Sequence, residues 1–144
     1  MELSITSNIL LVEDNRADIV LVQEALKFLN LDVTLSVATD GLEAVEFLLK
    51  RGKHKNAVTP DLVLLDLNLP RKNGFEVLTE IRKENNLDIP IVVLTSSRYD
   101  EDVWLCYDLK ANAVVFKTPE LVEFMNLLKS IFDFWIDKNR ISAE

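Results

Sequence analysis

The stretch Leu62-Val63-Leu64-Leu65-Asp66-Leu67-Asn68-Leu69-Pro70 puts four apolar residues in a row, then a carboxylate, then an Asn-x-Pro turn. The apolar run is too short for a helix, and it does not alternate with polar residues as a half-exposed strand would. A strand apolar on both sides needs cover on both faces, the situation of a parallel strand between two layers of helices. Outward in both directions the pattern repeats at Ile9-Leu10-Leu11-Val12, Ile91-Val92-Val93-Leu94 and Ala113-Val114-Val115-Phe116, with a weaker, alternating run at 34–38. Longer segments with helical spacing separate these runs. The rhythm predicts an α/β fold of five βα units, a doubly wound five-stranded parallel sheet with right-handed connections.

The helical segments carry start signals of their own. Asn15 is placed to cap a first helix whose stripe includes Asp18, Leu21, Val22, Ala25, Leu26 and Leu29. Asp40-Gly41-Leu42-Glu43 and Asn73-Gly74-Phe75-Glu76 both read as capping boxes. A fourth helix is expected at about 100–109, and a long fifth at about 120–140. In the fifth, Leu121, Phe124, Leu128, Ile131 and Trp135 form one stripe, which Met125, Phe132 and Ile136 widen.

Composition narrows the function. Twenty-four acidic against sixteen basic residues leave a net charge of −8, which repels nucleic-acid phosphates, and direct DNA binding is not expected. The start of the chain lacks a basic, then apolar, leader, and no run approaches the ~20 apolar residues of a membrane span. One cysteine, Cys106, allows no internal disulfide and suits a cytoplasmic setting; it is expected to pack in the interior. His54, in the basic loop 51–60, is expected at the surface. The whole chain, 1–144, is expected to form one domain with a core of about 7–130.

In an open parallel sheet, the loops at the carboxyl ends of the strands converge on one crevice. The residues ending these strands are Glu13-Asp14, then Asp66 followed by Asn68, then Thr95-Ser96, and finally Lys117. Carboxylates brought so close repel one another, and a hard divalent cation with oxygen ligands relieves that repulsion. Such a cation together with an ammonium neutralises a transferring phosphoryl group, and a carboxylate is a competent nucleophile toward phosphorus.

With Leu11-Val12-Glu13-Asp14-Asn15, Asp66-Leu67-Asn68-Leu69-Pro70 plus Gly74, Leu94-Thr95-Ser96 and Lys117 in order, the chain resembles a response-regulator receiver domain over nearly its whole length. The resemblance implies a flavodoxin-like (βα)5 sandwich and two-component signalling. Asp66 resembles the phosphoacceptor, Asp14 a direct ligand of Mg2+ (or Mn2+), and Glu13 an acid that acts on the metal through water. Asn68 would give the metal its backbone carbonyl. Thr95 matches the hydroxyl that moves toward the phosphoryl group, and Lys117 the ammonium that pairs with it. Ser96 would leave the approach open, and Asn68 and Ser97 would tune hydrolysis of the acyl phosphate. The family role is that of a phosphoacceptor with slow self-hydrolysis rather than a turnover enzyme.

The chain departs from the family in two places. Pro follows the Lys only after Thr118, so a cis bond, if present, would precede Pro119. Val114 stands where an aromatic residue commonly rotates inward, so signalling is expected to travel through loop and fourth-helix shifts instead. The implied donor is a sensor histidine kinase or a His-containing phosphotransfer protein. The aromatic tail, the long loop before the third strand and the start Glu13-Asp14-Asn15-x-x-Asp18 resemble small receivers that pair with phytochromes. Trp104 and Tyr107, with the broad fifth helix, suggest a homodimer through the fourth helix, fifth strand and fifth helix. Two alternatives remain. An Mg-dependent phosphatase with an Asp nucleophile would need an acid where Asn68 stands, and a receiver-like binding module would work without phosphorylation.

Overall fold

The computed structural model describes residues 6–84 and 87–137. Five strands, β1 (Ser7–Val12), β2 (Val33–Ala38), β3 (Leu62–Leu65), β4 (Ile91–Thr95) and β5 (Ala113–Phe116), form one parallel sheet. Their order is β2-β1-β3-β4-β5, so the chain reverses direction across the sheet after β2, and β1 and β3 are neighbours at that point. Such a switch point is where a crevice opens at the carboxyl ends of the strands.

Alternation along each strand explains why the runs read as continuously apolar. Leu10, Val12, Val63, Leu65, Ile91 and Val93 face one core, shared with α2 (Gly41–Leu48), α3 (Gly74–Lys83) and α4 (Asp100–Asp108). Ile9, Leu11, Leu62, Leu64, Val92 and Leu94 face the other, shared with α1 (Arg16–Phe28) and α5 (Leu121–Phe132). Each of these residues of β1, β3 and β4 therefore finds a helix layer on its own side, as expected of a doubly wound sheet. Cys106 lies fully buried in the first core, and burial pushes its thiol pKa up to about 11, with the Asp102 charge adding to the rise.

The helix starts follow their sequence signals with one difference. Asn15 Oδ1 accepts from the Asp18 N–H, and Asn73 with Glu76 completes a reciprocal capping box. At α2, Asp40 accepts from the Glu43 N–H, but the Glu43 carboxylate lies 3.6 Å from His54 Nε2. His54 departs from the surface position expected of it. It ends a one-turn 3-10 helix (Gly52–His54), is half-buried, and its ring tilts against Phe47 at 5.2 Å.

The fifth helix also differs in detail. After Phe132 it continues as a π-helical turn, Asp133–Asp137, and 138–140 lie outside the described residues. Leu128, Phe132 and Ile136 are spaced four apart, and in an α-helix such a row drifts around the axis. The wider π turn offsets that drift, so Ile136 follows Phe132 into the core. Phe132 and Ile136 thus cover their own sheet. Leu121, assigned to the stripe, is half exposed, and Val122 beside it is 60% exposed.

Candidate functional site

Three of the site residues stand one position past a strand and are held by a hydrogen bond that continues the sheet. The Glu13 N–H donates to the Ala38 carbonyl at 3.0 Å, the Asp66 N–H to Val12 at 3.0 Å, and the Lys117 N–H to Thr95 at 2.8 Å. In each case the acceptor is the last residue of the neighbouring strand. The backbones of Glu13, Asp66 and Lys117 are therefore placed by the sheet itself, while their side chains reach into the crevice.

Gly74 completes the seat of Asp66. A Cβ on Gly74 would stand 2.7 Å from the Asp66 carbonyl oxygen and 2.8 Å from Leu67 Cα, so only glycine lets α3 start this close. Its N–H donates to the Leu67 carbonyl at 2.9 Å. Gly41 serves the next loop in the same way. Its N–H donates to the Pro70 carbonyl at 3.3 Å, and an added Cβ would meet the Lys72 carbonyl oxygen at 1.9 Å.

Glu13, Asp14 and Asp66 each offer one carboxylate oxygen, and these oxygens lie within 4.8 Å of one another. Glu13 and Asp66 are buried, and Asp14 is exposed. Burial raises the Asp66 pKa above its ordinary value. Lys117 and the backbone N–H groups of Asn68 and Leu67 oppose that rise, and Asp14 adds to it. Burial raises Glu13 as well, against the hydrogen bond from Lys117. Two carboxylates short of positive charge, beside a third open to solvent, are a hard-oxygen donor set that fits a divalent cation of the Mg2+ or Mn2+ kind.

Lys117 is the nearest positive charge. Its Nζ donates to Glu13 Oε2 at 2.8 Å and lies 3.8 Å from Asp66 Oδ1. It also donates to Asp18 Oδ2 at 2.9 Å. Its pKa is raised, since burial, which lowers it, is outweighed by the hydrogen bonds to Glu13 and Asp18 and by the charge of Asp66. Reading the sequence placed Asp18 in the stripe of α1 and gave it no part in the site. The signal available was its spacing: Asp18 lies one helical turn after Asp14, in the motif Glu13-Asp14-Asn15-x-x-Asp18.

Thr95 ends β4 and is buried, with Oγ1 accepting from the Ser97 N–H at 3.0 Å. Asn68 is exposed beyond Asp66, and Ser96 is exposed beside Thr95. The loop after β4 is tied to its surroundings at two points. Ser97 Oγ donates to Asp102 Oδ2 at 2.6 Å, and the Arg98 guanidinium lies over the Phe116 ring at 4.7 Å. Val114 faces the first core, partly buried. No peptide bond among the described residues is cis, so the Thr118–Pro119 bond is trans.

The response regulator receiver domain family matches residues 9–129. The chain is 45% identical over 136 residues to response regulator Rcp1 of Synechocystis, covering 94% of this chain and 92% of Rcp1. Its fold superimposes on the phosphorylated cyanobacterial phytochrome response regulator RcpA with a TM-score of 0.88 at 42% identity, over 93% of this chain and 96% of that one. The Mn2+-bound form of Rcp1 matches with a TM-score of 0.83 at 45% identity, over 90% of this chain and 94% of that one.

Proposed function

The chain belongs to the response regulator receiver domain family, and from that membership we propose that Asp66 accepts a phosphoryl group from a phosphohistidine of a sensor histidine kinase or phosphotransfer protein. The observation that carries this reading is the geometry around Asp66. Its carboxylate is buried just past the end of the strand beside β1, with carboxylate oxygens of Glu13 and Asp14 within 4.8 Å and the Lys117 ammonium 3.8 Å away.

An Asp66 oxygen attacks phosphorus, and the bond from phosphorus to the donor's imidazole nitrogen breaks as the acyl phosphate forms. Asp14 and Asp66, with Glu13 through water and the Asn68 carbonyl, would hold a Mg2+ ion. The ion would neutralise charge on the phosphoryl oxygens. Lys117 pairs with one of those oxygens. The Thr95 hydroxyl accepts from the Ser97 N–H and still has its own O–H to donate to another phosphoryl oxygen. Movement of Thr95 toward that oxygen draws the Ser97 N–H with it and so pulls on the loop carrying Ser97 and Arg98, whose contacts to Asp102 and Phe116 lead to α4 and β5. The signal thus passes through the loop and α4, with no aromatic rotation needed at Val114.

The likeness to RcpA supports a phytochrome-type kinase as the donor. The exposed Trp104, Tyr107, Leu121 and Val122 support a twofold homodimer through α4, β5 and α5. A cytoplasmic place of action follows from the donor.

Incubation with acetyl phosphate and Mg2+, followed by intact mass, tests the acceptor. A gain of about 80 Da, the mass of HPO3, is expected in the wild type and not in Asp66→Asn. Release of phosphate from simple phosphate esters without an adduct would favour the phosphatase reading instead.

A further inference from the structure

Lys117 has a partner that lies outside the carboxylate cluster. Asp18 Oδ2 is 2.9 Å from its Nζ, almost as near as Glu13 Oε2 at 2.8 Å, whereas Asp66 Oδ1 is 3.8 Å away. An ammonium has three N–H donors. Glu13 and Asp18 each accept a hydrogen bond from it, while the contact to Asp66 is an ion pair beyond hydrogen-bond length. Asp18 is delivered by a firm support. It sits in the first turn of α1, where Asn15 caps the helix through the Asp18 N–H itself, and Val22, Ala25 and Leu26 bury the turns that follow.

We propose that Asp18 is a positioning residue that holds Lys117 back from Asp66 in the unphosphorylated protein and competes with the phosphoryl oxygens for its ammonium during transfer. The proposal rests on the reading of Asp66 as the acceptor. Glu13 and Asp66 both belong to the set that would surround a metal, whereas Asp18 has no oxygen in that cluster. Its carboxylate is therefore free to act on Lys117 alone.

The competition has a definite sign. In phosphoryl transfer, charge spreads over the three oxygens leaving the donor, and groups already aimed at them lower the barrier. An ammonium shared with Glu13 and Asp18 stands about 1 Å beyond hydrogen-bond length from the Asp66 carboxylate, and any hydrogen bond it gives to a group on Asp66 must be made in competition with Asp18. Removing the Asp18 charge while keeping its size should release Lys117 toward the acceptor and speed transfer. A plain loss of negative charge would also favour an anionic donor, but that effect would not depend on Lys117.

The experiment follows acetyl phosphate and Mg2+ by intact mass and reads the rate of adduct formation. In that reaction the acetyl oxygen–phosphorus bond breaks, acetate leaves, and the Asp66 oxygen–phosphorus bond forms. Asp18→Asn is expected to react about fivefold faster than wild type, a coupling ordinary for two contacting residues. Asp18→Ala, run in parallel so that the outcome does not hang on one variant folding, is expected to shift the same way. Asp18→Glu retains the charge and should stay near the wild-type rate. In a Lys117→Met background, Asp18→Asn should change nothing. An Asn variant no faster than wild type overturns the proposal. So does a Glu variant as fast as the Asn variant, or an acceleration that persists without Lys117. An adduct that survives in Asp66→Asn would overturn the acceptor reading itself, whatever the Asp18 series does.

Discussion

Asp66 and Glu13 are carboxylates that the fold hides and only partly compensates, and this has a consequence for stability. The folded pKa of Asp66 is raised above its ordinary 3.8, chiefly by burial. Such a group takes up a proton on folding, so stability falls as pH rises from about 3.8 through the folded value, and the full cost persists above it. Metal-free Asp66→Asn is therefore expected to be more stable than wild type at pH 7 by about 1 kcal/mol, the lower end of what an incompletely paired buried polar group costs. Urea denaturation at several pH values should show the gain vanish toward pH 4, and added Mg2+ should stabilise the wild type more than the variant. The acidic residues, Thr95 and Lys117 were legible in the sequence because each ends a strand, and strand ends are visible as the close of an apolar run. The part Asp18 plays was not. An acidic residue in the first turn of a helix is already explained by the helix dipole, so nothing local asks for a further partner. Its contact with Lys117 spans 99 positions and exists only once the fold brings the start of α1 to the residue that follows β5.

At the scale of elements, the loops around the crevice are braced against one another at glycines. Gly41 lets the start of α2 touch the loop that follows Asp66, and a Cβ there would overlap the Lys72 carbonyl at 1.9 Å. Because the obstructing atom is backbone, relief requires one of the two loops to shift. Gly41→Ala is expected to cost about 2–3 kcal/mol, in the range of overpacked sites, and to slow adduct formation at Asp66. Chemical denaturation and intact mass check the two effects separately. The helix starts were readable from Asn15, Asp40 and Asn73, since capping is a local matter of side chain and backbone. The setting of His54 and the π turn after Phe132 were not, because both are decided by what the residue packs against: Phe47 for one, the second core for the other. Glu43, the expected second half of a capping box, was likewise drawn toward His54.

For the molecule as a whole, the two faces of the sheet have separate cores, and several large side chains stay in water across α4 and α5, as Phe28 does at the end of α1. Trp104 is 76% exposed and Val122 60%. If that surface closes a twofold dimer, sedimentation at micromolar concentration should give a dimer for the wild type, and Trp104→Glu should give a monomer, a buried charge at each copy being costly. A wild type that stays monomeric with and without phosphorylation would refute the dimer. The breadth of the α5 stripe led toward this interface, but the structure spends Phe132 and Ile136 on the chain's own core, so the exposed apolar surface is smaller than the stripe implied.

The Tyr107 hydroxyl has a wider effect than its size suggests. It accepts from the Val114 N–H at 3.1 Å, on the outer side of the last strand. An open strand edge is a template on which another chain can lay a strand of its own. With that amide already satisfied from α4, an incoming strand would have to displace a tyrosine before gaining its first rung. At this position, pairing of a second chain along the outer edge of β5 is opposed by a contact the chain already makes with itself.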